Sequence, residues 1–234
     1  VIPEEITKIK DYTFYGCESI TSVTLPNSVT SIGESAFYSC SSLSSITLPD
    51  RITSIGANTF GGCYSLTSIT LPNSVTSIGE SAFLNCASLS SITLPDRITS
   101  IGNHTFGGCG GLTSIIIPDR VTSIGKYAFG VCYLLTSVTI PDNVNTIGEG
   151  AFSNCSSLKS ITIGKKVAKI ESRAFEYCAA LTECYCYAST PPKISSLYEE
   201  QKNSATLYVP IGCGSAYKSS AWKYYFDKIV EMEE

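Results

Sequence analysis

The sequence predicts a repeat solenoid: a parallel sheet of about eight stacked units of 23 residues, mostly β with short helical or 3-10 turns, finished by a C-terminal α+β cap. Three columns carry that expectation. Proline recurs at Pro3, Pro26, Pro49, Pro72, Pro95, Pro118 and Pro141, with Gly164 in the eighth slot. Phenylalanine keeps the same beat at Phe14, Phe37, Phe60, Phe83, Phe106, Phe129, Phe152 and Phe175, and so does cysteine at Cys17, Cys40, Cys63, Cys86, Cys109, Cys132, Cys155 and Cys178. Self-similarity at a fixed period of roughly 20–50 residues marks a solenoid, propeller or array. A propeller blade needs four strands and about 40 residues, so a 23-residue unit is too short for one.

Residues 43–65, LSSITLPDRITSIGANTFGGCYS, show how one unit works. Ile46 and Leu48 alternate with Ser45 and Thr47 at period two, which predicts a short strand. Pro49 lacks a backbone donor and stops the ladder. Asp50 and Arg51 read as a solvated turn, after which Ile52 and Ile55 point back inward. Gly56 permits a tight bend. Thr59, Phe60 and Cys63 follow at spacings that suit one or two turns of helix or 3-10 helix. One unit cannot enclose about seven apolar side chains, each contributing roughly 1.5–3 kcal/mol when buried. Stacking equivalent positions of successive units buries them in one continuous core, with strands side by side about 4.8 Å apart.

Along the chain the units are close copies and then drift. Residues 20–65 and 66–111 agree at 37 of 46 positions, which points to duplication of a two-repeat block. Beyond Pro118, Ile116 has already replaced the outward threonine, Gly164 stands for proline, Lys165-Lys166 for Asp-Arg, and Glu171 for the bend glycine. Such decay is expected near an end, where a unit has one neighbour and needs a cap. Cys184 and Cys186 take the inward slots of Ile161 and Ile163 and read as core substitutes. The solenoid is expected over residues 1–186 and a capping segment over 187–234. Thr190-Pro191-Pro192 forces an extended stretch, and residues 195–204 read as loop. Residues 205–210 and 227–231 are expected to be strands, and residues 216–226 a helix N-capped by Ser215.

The pattern L-x-x-I-x-L-P-x-x-V-x-x-I-G-x-x-A-F-x-x-C, legible from Val1 to about Tyr185, resembles the BspA-type leucine-rich repeat of bacterial surface proteins. The tail, with PP, then LYVP, then AYKSSAWKYYF, is similar to the end segment of many members. The resemblance implies a leucine-rich-repeat solenoid of α/β horseshoe-like curvature and a secreted or surface-attached life, in which some relatives bind extracellular-matrix or host proteins.

Composition narrows the function classes. A net charge of −4 with no long basic run argues against nucleic acid and anionic membrane as partners. No apolar run reaches the roughly 18–20 residues of a membrane span. No leader is visible, and Val1 falls inside a repeat, so the chain reads as a fragment and the compartment stays open on this ground. The cysteine column admits disulfides between stacked neighbours; the simpler reading is buried thiols acting as small apolar residues. Without C-x-x-C pairs a zinc site has no support. The single histidine, His104, sits in a variable surface slot, and Ser-His or Cys-His catalysis is hard to build without more. Phosphate-loop and nucleophile-elbow patterns are missing. Gly107-Gly108-Cys109-Gly110-Gly111 belongs to the repeat turn, and Glu34, Glu80 and Glu149 share one slot two or more repeats apart. No catalytic residue, metal or cofactor is therefore expected, and no enzyme.

What remains is the outward side of the strands. Ser22, Ser45, Ser68, Ser91, Ser114, Ser137 and Ser160 form one column; Thr24, Thr47, Thr70, Thr93, Thr139 and Thr162 form a second, broken by Ile116. The candidate binding face is Ser45, Thr47, Ser68, Thr70, Ser91, Thr93, Ser114, Ile116, Ser137, Thr139 and Tyr185. Interface hot spots are typically Trp, Tyr and Arg, and this face carries none until Tyr185. Tyr64, Tyr127, Tyr133 and the Tyr224-Tyr225 pair are alternative anchors. The leading function is thus a monomeric extracellular or cell-surface adhesion module for a host or extracellular protein or glycan. The alternatives are a structural spacer without its own ligand and, more remotely, an ice-binding array of stacked Ser-x-Thr columns.

Overall fold

The structure, a computed structural model, describes residues 2–195 and 203–233. The chain winds into a stack of coils in which each repeat contributes three walls. The predicted strand forms the first: Ser22–Thr24, Ser45–Thr47, Ser68–Thr70, Ser91–Thr93, Ser137–Ile140, Ser160–Ile163 and Glu183–Cys186. Its pairing is parallel and in register, with Ser45 beside Ser22, Thr70 beside Thr93 and Ile161 beside Cys184. Alternation decides which side chains face in: Ile46 and Ile69 are buried while Ser45, Thr47, Ser68 and Thr70 are exposed.

A second strand wall is added where only inward-pointing residues were expected. Short strands such as Ser31–Ile32, Ser54–Ile55, Ser77–Ile78 and Ser100–Ile101 follow the proline turn; the first three pair in parallel, and Ser100–Ile101 begins a second parallel sheet with Ser123–Ile124. Gly33 donates its N–H to the Ile9 carbonyl of the previous coil at 2.9 Å. The bend then brings backbones so close that a Cβ at Gly79 would stand 2.4 Å from the Ala57 nitrogen.

The third wall is neither the helix nor the 3-10 helix that the spacing suggests, but a run of turns laced between coils. Ser35, Phe37 and Ser39 donate to Ala57, Thr59 and Gly61 of the next coil at 2.9, 2.9 and 2.7 Å, while Tyr38 and Cys40 bond three residues back. Each turn places two residues four apart in the left-handed region, such as Ser35 (φ 52°) and Ser39 (φ 56°), or Asn58 (φ 54°) and Gly62 (φ 72°). Glycine and asparagine tolerate that conformation best, which explains their frequency at the second position. A true helix would keep its N–H groups to itself; this conformation spends every other one on the neighbouring coil, as backbone buried between coils requires.

Inside the walls the phenylalanines form one row. Ring centroids from Phe14 to Phe175 lie 5.0–5.9 Å apart, with successive planes 5–17° from parallel. The six from Phe37 to Phe152 are fully buried. Beside them runs the cysteine row, and all eleven cysteines are free thiols. Each thiol from Cys40 to Cys178 donates to the phenylalanine carbonyl of the preceding coil, as Cys63 does to Phe37 at 3.2 Å. That oxygen also accepts the N–H of Cys40, also at 3.2 Å, so both of its acceptor sites are used. Cys184 and Cys186 fill the core as expected, in register with Ile161 and Ile163.

The C-terminal segment extends the stack rather than merely covering it. Asn203–Val209 pairs in parallel with Glu183–Cys186, and Phe226–Glu231 pairs with Asn203–Val209. The expected single helix is two pieces: an α-helix, Gly214–Ser219, and a 3-10 turn, Ala221–Tyr224. Ser215 does not cap it; Cys213 holds that position without a side-chain bond. Ser220 is extended, and its hydroxyl accepts the Trp222 N–H and donates to the Tyr217 carbonyl. The break turns Tyr217 and Trp222 to the same interior. There the Tyr217 hydroxyl donates to Ala188 at 2.6 Å and the Trp222 indole to Pro192 at 2.9 Å. The loop expected over 195–204 lies mostly outside the described residues.

Candidate functional site

The outward face is built from the pleat. Because Ile46, Ile69 and Ile92 must face the core, their neighbours Ser45, Thr47, Ser68, Thr70, Ser91 and Thr93 must face water, and all six are exposed. Ser137 and Thr139 continue the two columns. Ser114 and Ile116 lie on the same exposed side, but residues 114–117 form no ladder, and Ile116 is 86% exposed. The predicted face is therefore one surface with an irregularity at its centre.

Two kinds of hydroxyl column stand side by side here. Ser44, Thr67, Ser90, Thr113 and Thr136 each donate to the backbone carbonyl of the equivalent residue one coil earlier, at 3.0–3.4 Å. Ser45, Thr47, Ser68, Thr70, Ser91 and Thr93 make no side-chain hydrogen bond among the described residues, so their donors and acceptors are open to solvent or ligand. Composition cannot separate Ser44 from Ser45; the strand's geometry does.

At the C-terminal end the face changes character. The threonine row runs Thr139, Thr162, Tyr185, Tyr208 across paired strands. Tyr185 and Tyr208 stack with centroids 4.7 Å apart and planes 11° from parallel. Desolvation, and then the Glu183 carboxylate, push the Tyr185 phenol above its ordinary value. Tyr187, 42% exposed, occupies the slot of Gly164 and Pro141 in the next coil. Tyr208 and Tyr187 were not singled out in the sequence; the only signal was aromatic residues replacing threonine and proline in the final units. The other tyrosines do not join them. Tyr64 and Tyr133 are exposed three repeats apart, and Tyr224 lies on the cap. Tyr127 stacks on His104 at 5.5 Å, leaving that histidine half-buried instead of free on the surface.

Below the threonine row, a groove runs between the strands and the proline turns. Its depressions lie at Thr24–Asp50, at Ser45–Pro72 and at Thr139–Tyr187. At the last of these, Asp142 accepts the Lys165 N–H at 3.0 Å and pairs with its ammonium at 3.1 Å. The Lys165 amide and ammonium hold the Asp142 carboxyl below its usual range. Among the described residues no three of His, Cys, Asp and Glu converge as metal ligands, and no helix is long and apolar enough to cross a membrane.

The sequence profile described as BspA type leucine rich repeat region (6 copies) matches residues 1–110 and 77–201. Among solved structures, a leucine-rich repeat protein from Bacteroides ovatus is similar at 27% identity and a TM-score of 0.55, over 92% of this chain and 72% of that one. The leucine-rich repeat protein of T. pallidum is similar at 27% identity and a TM-score of 0.50, over 77% and 78%. No curated protein matches significantly.

Proposed function

This chain belongs to the BspA-type leucine-rich-repeat family, and from that premise we propose that it is a non-enzymatic binding or adhesion module. On this proposal it works outside the cell or on its surface, as a monomer, and recognises a host or extracellular protein or glycan through the outward strand face. One observation carries the proposal: the Ser45/Thr47-type columns leave their hydroxyls uncommitted, while the adjacent Ser44-type column is used up in holding coils together. Hydroxyls left free along an exposed strand face can pair with a ligand's polar groups, as the direct hydrogen bonds of an interface require. The segment from 187 onward is then the end cap that keeps the last coil's apolar side from water, with Tyr217 and Trp222 as its core.

Capture of matrix proteins and a glycan array, both run with the intact chain, test the proposal. Glutamate at Ser68, Thr70 and Thr93 should abolish whatever binds while the chain stays folded, since all three side chains are exposed and the like charges at the register partners Thr70 and Thr93 cost only about 1 kcal/mol or less. Silence on every surface, or binding that ignores the three glutamates, defeats it. The near-identity of residues 20–65 and 66–111 favours a second reading, a spacer with inert faces; that reading predicts silence in both assays.

A further inference from the structure

The groove beneath the strand face is not the same along its length. At the N-terminal end its walls are threonine, leucine, proline and Asp or Asn, without an aromatic ring. At the C-terminal end a cleft of about 440 Å³ is bounded by Thr139 and Thr162, by Asp119, Asp142 and Lys165, and by Tyr187. The Tyr185–Tyr208 stack stands on the strands immediately beyond Thr162. Gly164 occupies the position that is proline in the preceding seven units, and its backbone lies so close to Pro141 that a Cβ would stand 2.5 Å from that carbonyl.

From this arrangement we infer that the Thr139–Tyr187 cleft is a binding site for a neutral pyranose sugar, the terminal or internal unit of a glycan. The inference rests on the surface-binding proposal above and names its ligand class. A pyranose presents an apolar C–H face and an equatorial ring of hydroxyls. Tyrosine offers a flat, amphipathic face to the first, with a rigid side chain that costs little entropy to hold. Carboxylates and hydroxyls answer the second: the Thr139 and Thr162 hydroxyls and the Asp119 carboxylate have no side-chain partner among the described residues. Asp142 holds the Lys165 N–H on one oxygen and the Lys165 ammonium on the other, and each oxygen retains acceptor capacity while the charge is balanced. The Asp119 carboxylate, in no ion pair among the described residues, disfavours an anionic sugar, and Ile140 and Pro141 complete the lining with apolar surface. The parallel strands also step at about 4.8 Å, so successive polar groups line up along the groove for a chain of sugars.

The test uses immobilised short neutral oligosaccharides of glucose, galactose, mannose and N-acetylglucosamine with the intact chain. At least one should be retained; Tyr187→Ala and Thr162→Val should each weaken it about tenfold or more, and Asn27→Ala, in the ring-free N-terminal depression and outside the hydroxyl columns, should leave it unchanged. Tyr187→Ser is the second variant should the alanine chain fail to fold. No retention of any of these sugars overturns the site, as does retention insensitive to Tyr187 and Thr162. If a protein is captured through Ser68, Thr70 and Thr93 while no sugar is held, the site falls and the surface-binding proposal stands; if nothing is captured at all, both fall.

Discussion

Replacing Phe83 by alanine should be among the most damaging single changes to this chain. The ring is fully buried and stacks on Phe60 and Phe106, each at 5.4 Å, so it belongs to two coil–coil interfaces at once. Its backbone bonds survive the substitution: the N–H still reaches Thr105 and the carbonyl still receives the Cys86 N–H and the Cys109 thiol. The loss is therefore the side chain's transfer energy plus the cavity it leaves, about 3–5 kcal/mol. Phe175 is a built-in control. It is only partly buried and stacks on Phe152 alone, at 5.9 Å, so Phe175→Ala should cost roughly half as much. Urea unfolding would be followed by far-UV circular dichroism, which sees every strand, and by fluorescence of Trp222, the sole tryptophan, which sees only the C-terminal end. In a nearest-neighbour array a central defect uncouples the halves, so in Phe83→Ala the dichroism should begin to fall at lower urea than the fluorescence. A cost under about 1 kcal/mol, or equal costs at Phe83 and Phe175, would refute the single stacked core.

Other consequences can be measured on the same protein. Without denaturant, a thiol reagent at neutral pH should modify Cys17 and Cys213, which are partly exposed, and spare the other nine; rapid loss of Cys86 or Cys109 would contradict the closed core. Burial, and then the neighbouring thiol, push Cys63 up to about 12, and burial pushes Cys178 up to about 12, from 9.0. Above pH 9 the unfolded chain releases these protons and the folded chain keeps them. Stability should therefore be complete below pH 9 and decline from there towards 12, and a urea midpoint independent of pH over that window would disprove the assignment. Gly79→Ala forces a Cβ to 2.4 Å from backbone and should cost about 2 kcal/mol or more. Gly102→Ala meets only atoms at 3.4 Å and beyond and should cost far less; equal effects would show that coil approach does not set the bend glycine.

Much of the candidate site was legible because strand alternation is a local property. Once Ile46 and Ile69 are assigned inward, Ser45, Thr47, Ser68 and Thr70 can only point out, and they do. What was not legible is which hydroxyls are free. Ser44 and Ser45 are the same residue in the same strand region, yet only Ser44 lies within reach of a carbonyl one coil away. Nor could the aromatic end be read. Tyr185's stacking partner Tyr208 lies one 23-residue period further on, but there the proline, phenylalanine and cysteine marks of the repeat have lapsed, and nothing local shows that the register continues.

The sequence alone determined the unit, its length and its interior, because identical apolar residues every 23 positions can be hidden only by laying each unit on the next. It also determined the outward columns. Tertiary structure alone decided the rest: a second strand wall after each proline, a third wall of left-handed turns in place of helix, and a cap that joins the sheet by parallel pairing. These features depend on hydrogen bonds between residues 22 to 26 positions apart, where backbone and not side-chain identity makes the contact. Backbone groups are the same in every residue, so they leave almost no mark on the sequence that places them.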